Sequence, residues 1–267
     1  VINHKATFGV SSSSLILNKL QGKPVVLVAS YFKQNALAFV TKPNIKSVKD
    51  FKNKKIMATN YEIDNTILGV ILKENGINKN DYTLVQHDFN VKKFINGEVD
   101  AMSIFMTNQP FLLDEYGVKY NILNPAEDGY FSYDLELFTS KETASNHKKI
   151  VEKFVTATNR GWEYAFKHKK EIVDLIYNKY TKRKSKDALL FEADKTEQLF
   201  KTNIFKIGSI VPELITLNLQ TYEKLGLVDN KINTSELLSD YLLKELNVNE
   251  NIYSYNNDDD DNDDDDD

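Results

Sequence analysis

Three short stretches carry side chains suited to reading a small polar molecule: Ser11-Ser12-Ser13-Ser14, Asn60-Tyr61-Glu62 and Thr107-Asn108. Each follows an apolar run ("ATFGV", "KKIMA", "DAMSIFM") and precedes a helical pattern. In open α/β sheets, ligands sit at the carboxyl ends of strands, where helix N-termini offer free N–H groups. A serine or asparagine in that place also serves as a helix cap. Three such junctions facing one gap would make a polar cleft. Two further groups fall beside long extended segments: Gln34 and Asn35, and Tyr130, Phe131, Tyr133, Asp134 and Glu136.

The chemistry these residues can do is recognition. A small heteroaromatic ligand needs a flat face to stack on and polar groups to read its edge. One aromatic among Tyr61, Tyr130 and Tyr133 is expected to stack. One carboxylate among Glu62, Asp134 and Glu136 is expected to accept from an exocyclic amine. The expected ligand-binding set is Ser11, Ser12, Ser13, Gln34, Asn35, Asn60, Tyr61, Glu62, Thr107, Asn108, Tyr133 and Glu136.

Catalytic patterns are missing from the same sequence. There is no cysteine, so there is no disulfide, thiolate metal site or cysteine nucleophile. His4, His87, His147 and His168 are scattered without metal-ligand spacing. No Walker-type loop, dinucleotide fingerprint or nucleophile elbow occurs. No cofactor or metal is implied. Basic runs such as "KNKK" and "KRK" are short and separate, which argues against a nucleic-acid partner. Trp162 falls on a helical apolar stripe with Val155, Thr158 and Phe166 and is expected in a core.

The elements that must hold these residues can be read in outline. Strands alternate with helices to about residue 132, which predicts an α/β fold with a largely parallel sheet. Asp64 and Gly76 bracket one helix, Pro110 and Gly117 a second, Pro212 and Gly226 a third. From about residue 146 the apolar spacing is helical, with breaks expected near Gly161 and Lys169.

The 267 residues suffice for two lobes with a substantial core. No apolar run is long enough to span a membrane, and no basic-then-apolar leader opens the chain. Nine aspartates fall between Asn256 and Asp267, and without them the net charge changes from −5 to +4. Residues 246–267 are therefore expected as a disordered acidic tail on a mildly basic domain.

Several segments, in this order, carry a family resemblance: "KATFGVSSSSLILNKLQGKPVVLVASYF", "IKSVKDFKNKKIMA", "GEVDAMSIFMTNQPFLLDEYGVKYNIL", "DLELFTSKE", "NRGWEYAFKHKKEIVDLIYNKY" and "KIGSIVPELITLNLQTYEKLGLV". They resemble the bacterial solute-binding proteins and sensor domains related to thiamine-pyrimidine-precursor-binding proteins, of type 2 periplasmic-binding-protein fold. Members begin with a strand, a helix and a second strand before the "KATFGV" equivalent, so about fifty residues of lobe one are expected to be missing here.

The resemblance implies two α/β lobes joined by crossover hinge strands at 35–42 and 133–141. Lobe one would be 1–42 with 133–245, and lobe two 43–132. It also implies closure on a small molecule outside the cytoplasm, in the periplasm, without making or breaking bonds. The domain would serve as sensor of a membrane-bound signalling module, of histidine kinase or diguanylate cyclase type. The alternatives are a binding protein that feeds an ABC permease and, from another class, a pyrimidine-metabolising enzyme.

Overall fold

The computed structural model describes residues 1–229 and 233–242; the expected acidic tail lies outside them. The elements in chain order are β1 (Phe8–Ser11), α1 (Leu15–Leu20), β2 (Val25–Phe32), β3 (Leu37–Thr41), β4 (Lys55–Ala58), α2 (Asn60–Asn65), α3 (Ile67–Glu74), β5 (Thr83–Gln86), α4 (Lys92–Ile95), β6 (Ala101–Phe105), α5 (Gln109–Glu115), β7 (Asn121–Leu123) and β8 (Asp134–Ser140). Six helices follow: α6 (Lys141–Asn146), α7 (Lys148–Lys167), α8 (Lys169–Leu175), α9 (Lys186–Phe200), α10 (Pro212–Leu225) and α11 (Thr234–Leu242).

Two sheets form. The first has the order β1-β8-β2, and the second β5-β4-β6-β3-β7. Strand β2 is buried on both faces, as its unbroken run of valine, leucine and alanine requires. Val25 and Leu27 pack under α1, α10 and α11 with Leu15, Ile215 and Tyr222. Val26 and Val28 pack on the other face against Val151, Val155 and Phe200 of α7 and α9. Trp162 joins that second cluster, stacked on Phe166 and tilted against Phe200, as its stripe predicted. The second sheet is likewise enclosed, by α3 on one side and by α4 and α5 on the other.

Three sequence expectations need correction. The sheets are not largely parallel: only β4–β5 and β4–β6 are, while β3 runs antiparallel to β6 and β7 and the first sheet is antiparallel throughout. Strand β3, expected as the first crossover (35–42), pairs wholly within the second sheet, and β8, expected as the second (133–141), pairs wholly within the first. Ala38 and Val40 are buried on one face of β3 and Phe39 on the other, so the strand needs layers on both sides. The chain therefore crosses between lobes within residues 33–36 and returns within 129–133. Finally, α7 runs through Gly161 and ends at Lys167, with His168 as its C-cap. A lone glycine costs a helix only ~1 kcal/mol, less than the packing of Val151, Val155 and Trp162 supplies.

One glycine sets how α3 sits. A Cβ on Gly69 would come within 1.9 Å of the Ile63 carbonyl oxygen, where α2 bends into α3 at Thr66. Gly69→Ala should destabilise the chain by at least ~2 kcal/mol. Urea unfolding monitored by circular dichroism checks this; a variant of parental stability would mean that the two helices do not meet at this corner.

Candidate functional site

In lobe two, β4, β5 and β6 are parallel, so their carboxyl ends share one edge. That edge carries Tyr61 at the start of α2, Phe89 in the loop after β5 and Phe105 at the end of β6, which are 53%, 66% and 41% exposed. Large exposed aromatics clustered at one sheet edge are the kind of surface a flat ligand uses. Phe89 also holds φ = +59°, the left-handed backbone that a bulky residue rarely adopts.

Buried polar groups wire the three loops together. Glu62 is the third residue of α2, and its Oε2 accepts from the Thr59 N–H at 2.7 Å and the Thr59 hydroxyl at 3.0 Å, a capping box. The same oxygen accepts from the Ser103 hydroxyl of β6 at 2.9 Å. The Ser103 carbonyl lies 2.9 Å from His87 Nε2, and the Phe89 N–H donates to His87 Nδ1 at 2.8 Å. A carbonyl only accepts and an N–H only donates, so His87 is the neutral tautomer with its proton on Nε2. Its ring stacks on Phe89, with centroids 4.8 Å apart. Glu62 and His87 are thus braces that present Tyr61 and Phe89.

In lobe one, β1, β8 and β2 place Ser11, Glu136 and Ser30 side by side in one cross-strand row. Glu136 is buried, and its Oε2 accepts from the Tyr241 hydroxyl at 3.3 Å. Burial holds this carboxyl well above its usual range, and the neighbouring charge of Asp134 raises it further. Burial pushes Asp134 up to about 6, although its Oδ1 accepts the Leu135 N–H. Ser13 and the Tyr222 hydroxyl are hydrogen-bonded at 2.9 Å. Burial raises the Tyr222 phenol, the Ser13 hydrogen bond lowers it, and the charges of Glu136, Tyr61 and Asp134 raise it further; Tyr222 lies on α10, which packs against α2, the helix of Tyr61.

The expected site residues divide accordingly. Ser13 bonds the Tyr222 hydroxyl, Ser11 lies beside Glu136 in the first sheet, and Tyr61 is exposed on α2, which packs against the helix of Tyr222. Ser12 bonds to Ser14 Oγ at 2.8 Å at the start of α1. Asn35 lies in the first crossing and donates to Ser132 Oγ in the second at 3.2 Å. Gln34 is half-buried beside it, Asn60 is exposed at the start of α2, and Thr107 and Asn108 are half-buried before α5. Tyr133, expected as a stacking face, is fully buried in the lobe-one core. Its hydroxyl both accepts from the Val211 N–H and donates to the Val211 carbonyl, which makes it a hinge anchor. Tyr130 packs at the margin of the lobe-two core, its ring beside the Lys224 ammonium. Phe89, Phe105, His87 and Tyr222 were missed. Phe105 and Tyr222 had no local signal, and His87 and Phe89 stand in a polar loop that reads as a plain connection.

A groove of about 590 Å³ lies elsewhere, between α7 and α9 beside Asn159, Arg160 and Lys206, and none of the expected residues borders it.

Comparison with known proteins follows this geometry. The model of a family described as NMT1/THI5 like matches residues 1–172. The chain belongs to the NMT1/THI5-like family. A Haemophilus influenzae protein named for thiamine biosynthesis is 26% identical to this NMT1/THI5-like chain over 158 residues, which cover 57% of this chain and 49% of that protein. The chain thus spans about half the length of that curated relative. The periplasmic aliphatic sulphonate binding protein SsuA of Escherichia coli superposes with a TM-score of 0.68 at 15% identity, covering 90% of this chain and 76% of its own. The desulfurization enzyme DSZB superposes with a TM-score of 0.61 at 11% identity, covering 88% and 83%. The fold is that of periplasmic binding proteins, and it carries both binding proteins and an enzyme.

Two outcomes follow from the site. Phe89→Asn relieves left-handed strain at an exposed position and should stabilise the unliganded protein by ~0.5–1 kcal/mol in thermal unfolding; a drop in stability would mean that the His87 stack outweighs the strain. Glu136 binds its proton more tightly folded than unfolded, so its contribution is intact below about pH 4 and is lost as pH rises through its folded value. Glu136→Gln should therefore unfold at a higher temperature than the parent near pH 8, with the gap closing near pH 4; parental or lower stability near pH 8 would contradict the burial argument.

Proposed function

We propose that this chain is the extracytoplasmic solute-binding component of an import system, closing two lobes on a small, flat, nitrogen-containing solute and delivering it to an ABC permease without making or breaking a bond. One observation carries the reading. Tyr61, Phe89 and Phe105 stand exposed at one strand edge of lobe two, and the helix that bears Tyr61, α2, packs against α10 of lobe one, whose Tyr222 bonds Ser13; Asp134 and Glu136 lie on β8 of the same lobe. A ligand held there has a ring face from one lobe and edge readers from the other. Short crossings between the lobes suit a hinge.

The importer use is preferred to the sensor use because the Escherichia coli neighbour named above is a periplasmic binding protein. Among the described residues no helix is long and apolar enough to cross a membrane. Family membership and the thiamine-related relative support a pyrimidine as the first solute to try.

The test uses the hydroxymethyl aminopyrimidine half of thiamine. At 100 times its dissociation constant it should stabilise the protein by ~2.7 kcal/mol in thermal unfolding, and small-angle scattering should record a smaller radius of gyration. Tyr61→Ala and Phe89→Asn should weaken both effects while leaving a folded protein. Scattering curves that superpose with and without a bound solute would remove the hinge reading, and conversion of the pyrimidine, read by mass spectrometry, would favour the enzyme class instead.

A further inference from the structure

The lobe-one part of this site holds two acids without a counter-charge. Glu136 is 1% exposed, and Asp134 is close enough to raise it. Among the described residues neither carboxylate forms an ion pair, and the groups that act on Glu136 are a second acid and the Tyr241 hydroxyl. Lys33, buried at the end of β2, instead directs its ammonium to the carbonyl oxygens of Ser30 and Ser209, both at 2.6 Å. Burying an unpaired carboxylate is costly, and a protein that keeps one supplies the missing charge from outside or holds the group protonated.

A second observation points to a ligand. Ser30, directly opposite Glu136 in the sheet, is fully buried, and its Oγ has no hydrogen-bond partner among the described residues. Buried hydroxyls are nearly always satisfied. Between the two acids, Leu135 holds φ = +55°, a strained backbone for a leucine, at the point where the second crossing enters β8. An orphan hydroxyl on β2 therefore lies opposite an uncompensated acid pair and a strained residue at the start of β8.

We propose that Asp134 and Glu136, with Ser30 beside them, receive the positive end of the ligand, which is an organic cation: a protonated amine or amidine carried on a flat ring. The inference rests on the cleft reading above and gives it a chemical class. The ring lies against the lobe-two aromatics while the cation meets the acids. The same floor disfavours an anion, so sulfonates are not expected to bind. Burial and the charge of Asp134 favour the protonated form of Glu136, and an arriving cation favours its carboxylate form, so binding is accompanied by proton release. The other titratable groups facing the pair are Tyr222 from α10, Tyr241 from α11 and Tyr61 from lobe two; burial raises the Tyr222 and Tyr241 phenols, which remain neutral.

The test compares three probes of one shape on the 267-residue chain: benzamidine as cation, benzamide as neutral and benzenesulfonate as anion. Titration calorimetry near pH 7, in two buffers of different ionisation enthalpy, reads affinity and proton release together. Benzamidine should bind about tenfold or more tightly than benzamide and release a proton, and benzenesulfonate should not bind. Glu136→Gln should lose both the preference and the proton release while keeping its far-ultraviolet dichroism; Asp134→Asn serves if that variant does not fold. Equal or tighter binding of benzamide or benzenesulfonate overturns the cation assignment and leaves a working cleft. Binding of none of the three also overturns it, and the scattering measurement with the aminopyrimidine then decides the cleft reading separately. An unchanged preference in the folded Gln variant overturns the role of Glu136.

Discussion

The chain passes between its two sheets twice among the described residues, and one short segment grips both passages. Lys33, in the first passage, donates to the Ser209 carbonyl. Tyr133, in the second, exchanges hydrogen bonds with the backbone of Val211 and takes its own N–H partner from Asn218 of α10. Asn35 and Ser132 tie the passages to each other. Both covalent connections between the lobes run through this knot. Burial draws the Lys33 ammonium down to about 7, while two carbonyl oxygens and the rings of Tyr133 and Phe205 favour its charged form. A buried polar group with good partners is costly to replace by a looser one, so the pivot is rigid where it is anchored. Bending is left to the few residues between the anchors.

Lobe two meets the knot from the other side. The end of α10 reaches across to it: Leu225 packs against both cores, and Lys224 pairs with Glu74 at 2.7 Å. Phe111 of α5 meets Phe191 of α9 at 5.6 Å between centroids. Between these flanking contacts the strand-end loops are held by the chain from Thr59 through Glu62, Ser103 and His87 to Phe89. Its polar groups are consumed internally, which leaves aromatic faces as the surface offered to a ligand. Lobe one does the reverse: its helices bury the apolar side chains and leave carboxyl and hydroxyl groups at the junction. A flat molecule with a polar edge fits that division of labour.

The fold shared with a sulphonate-binding protein and with a desulfurization enzyme does not carry ligand choice with it. In the proposed reading the choice falls to a few side chains at the strand ends, among them the buried Glu136 and the half-buried Asp134. Electrostatics in a poorly hydrated site discriminates by sign more strongly than shape does.

The sequence by itself determined the element types, the two-lobed family and several boundaries. Those signals are local: apolar periodicity, proline at the start of α5 and α10, and left-handed glycine after α10. It also placed Ser13, Tyr61 and Glu136 near strand ends, because a strand end is visible from neighbouring residues alone. What each polar side chain does was decided only by tertiary structure. Glu62 reads equally well as a ligand contact or as a brace until Ser103, 41 residues away, is found beside it. Tyr133 reads as a cleft aromatic until Val211, 78 residues on, claims its hydroxyl. Phe105 and Phe89 become a surface only when parallel strands align their ends, and strand direction depends on pairings between distant segments, which no local pattern encodes.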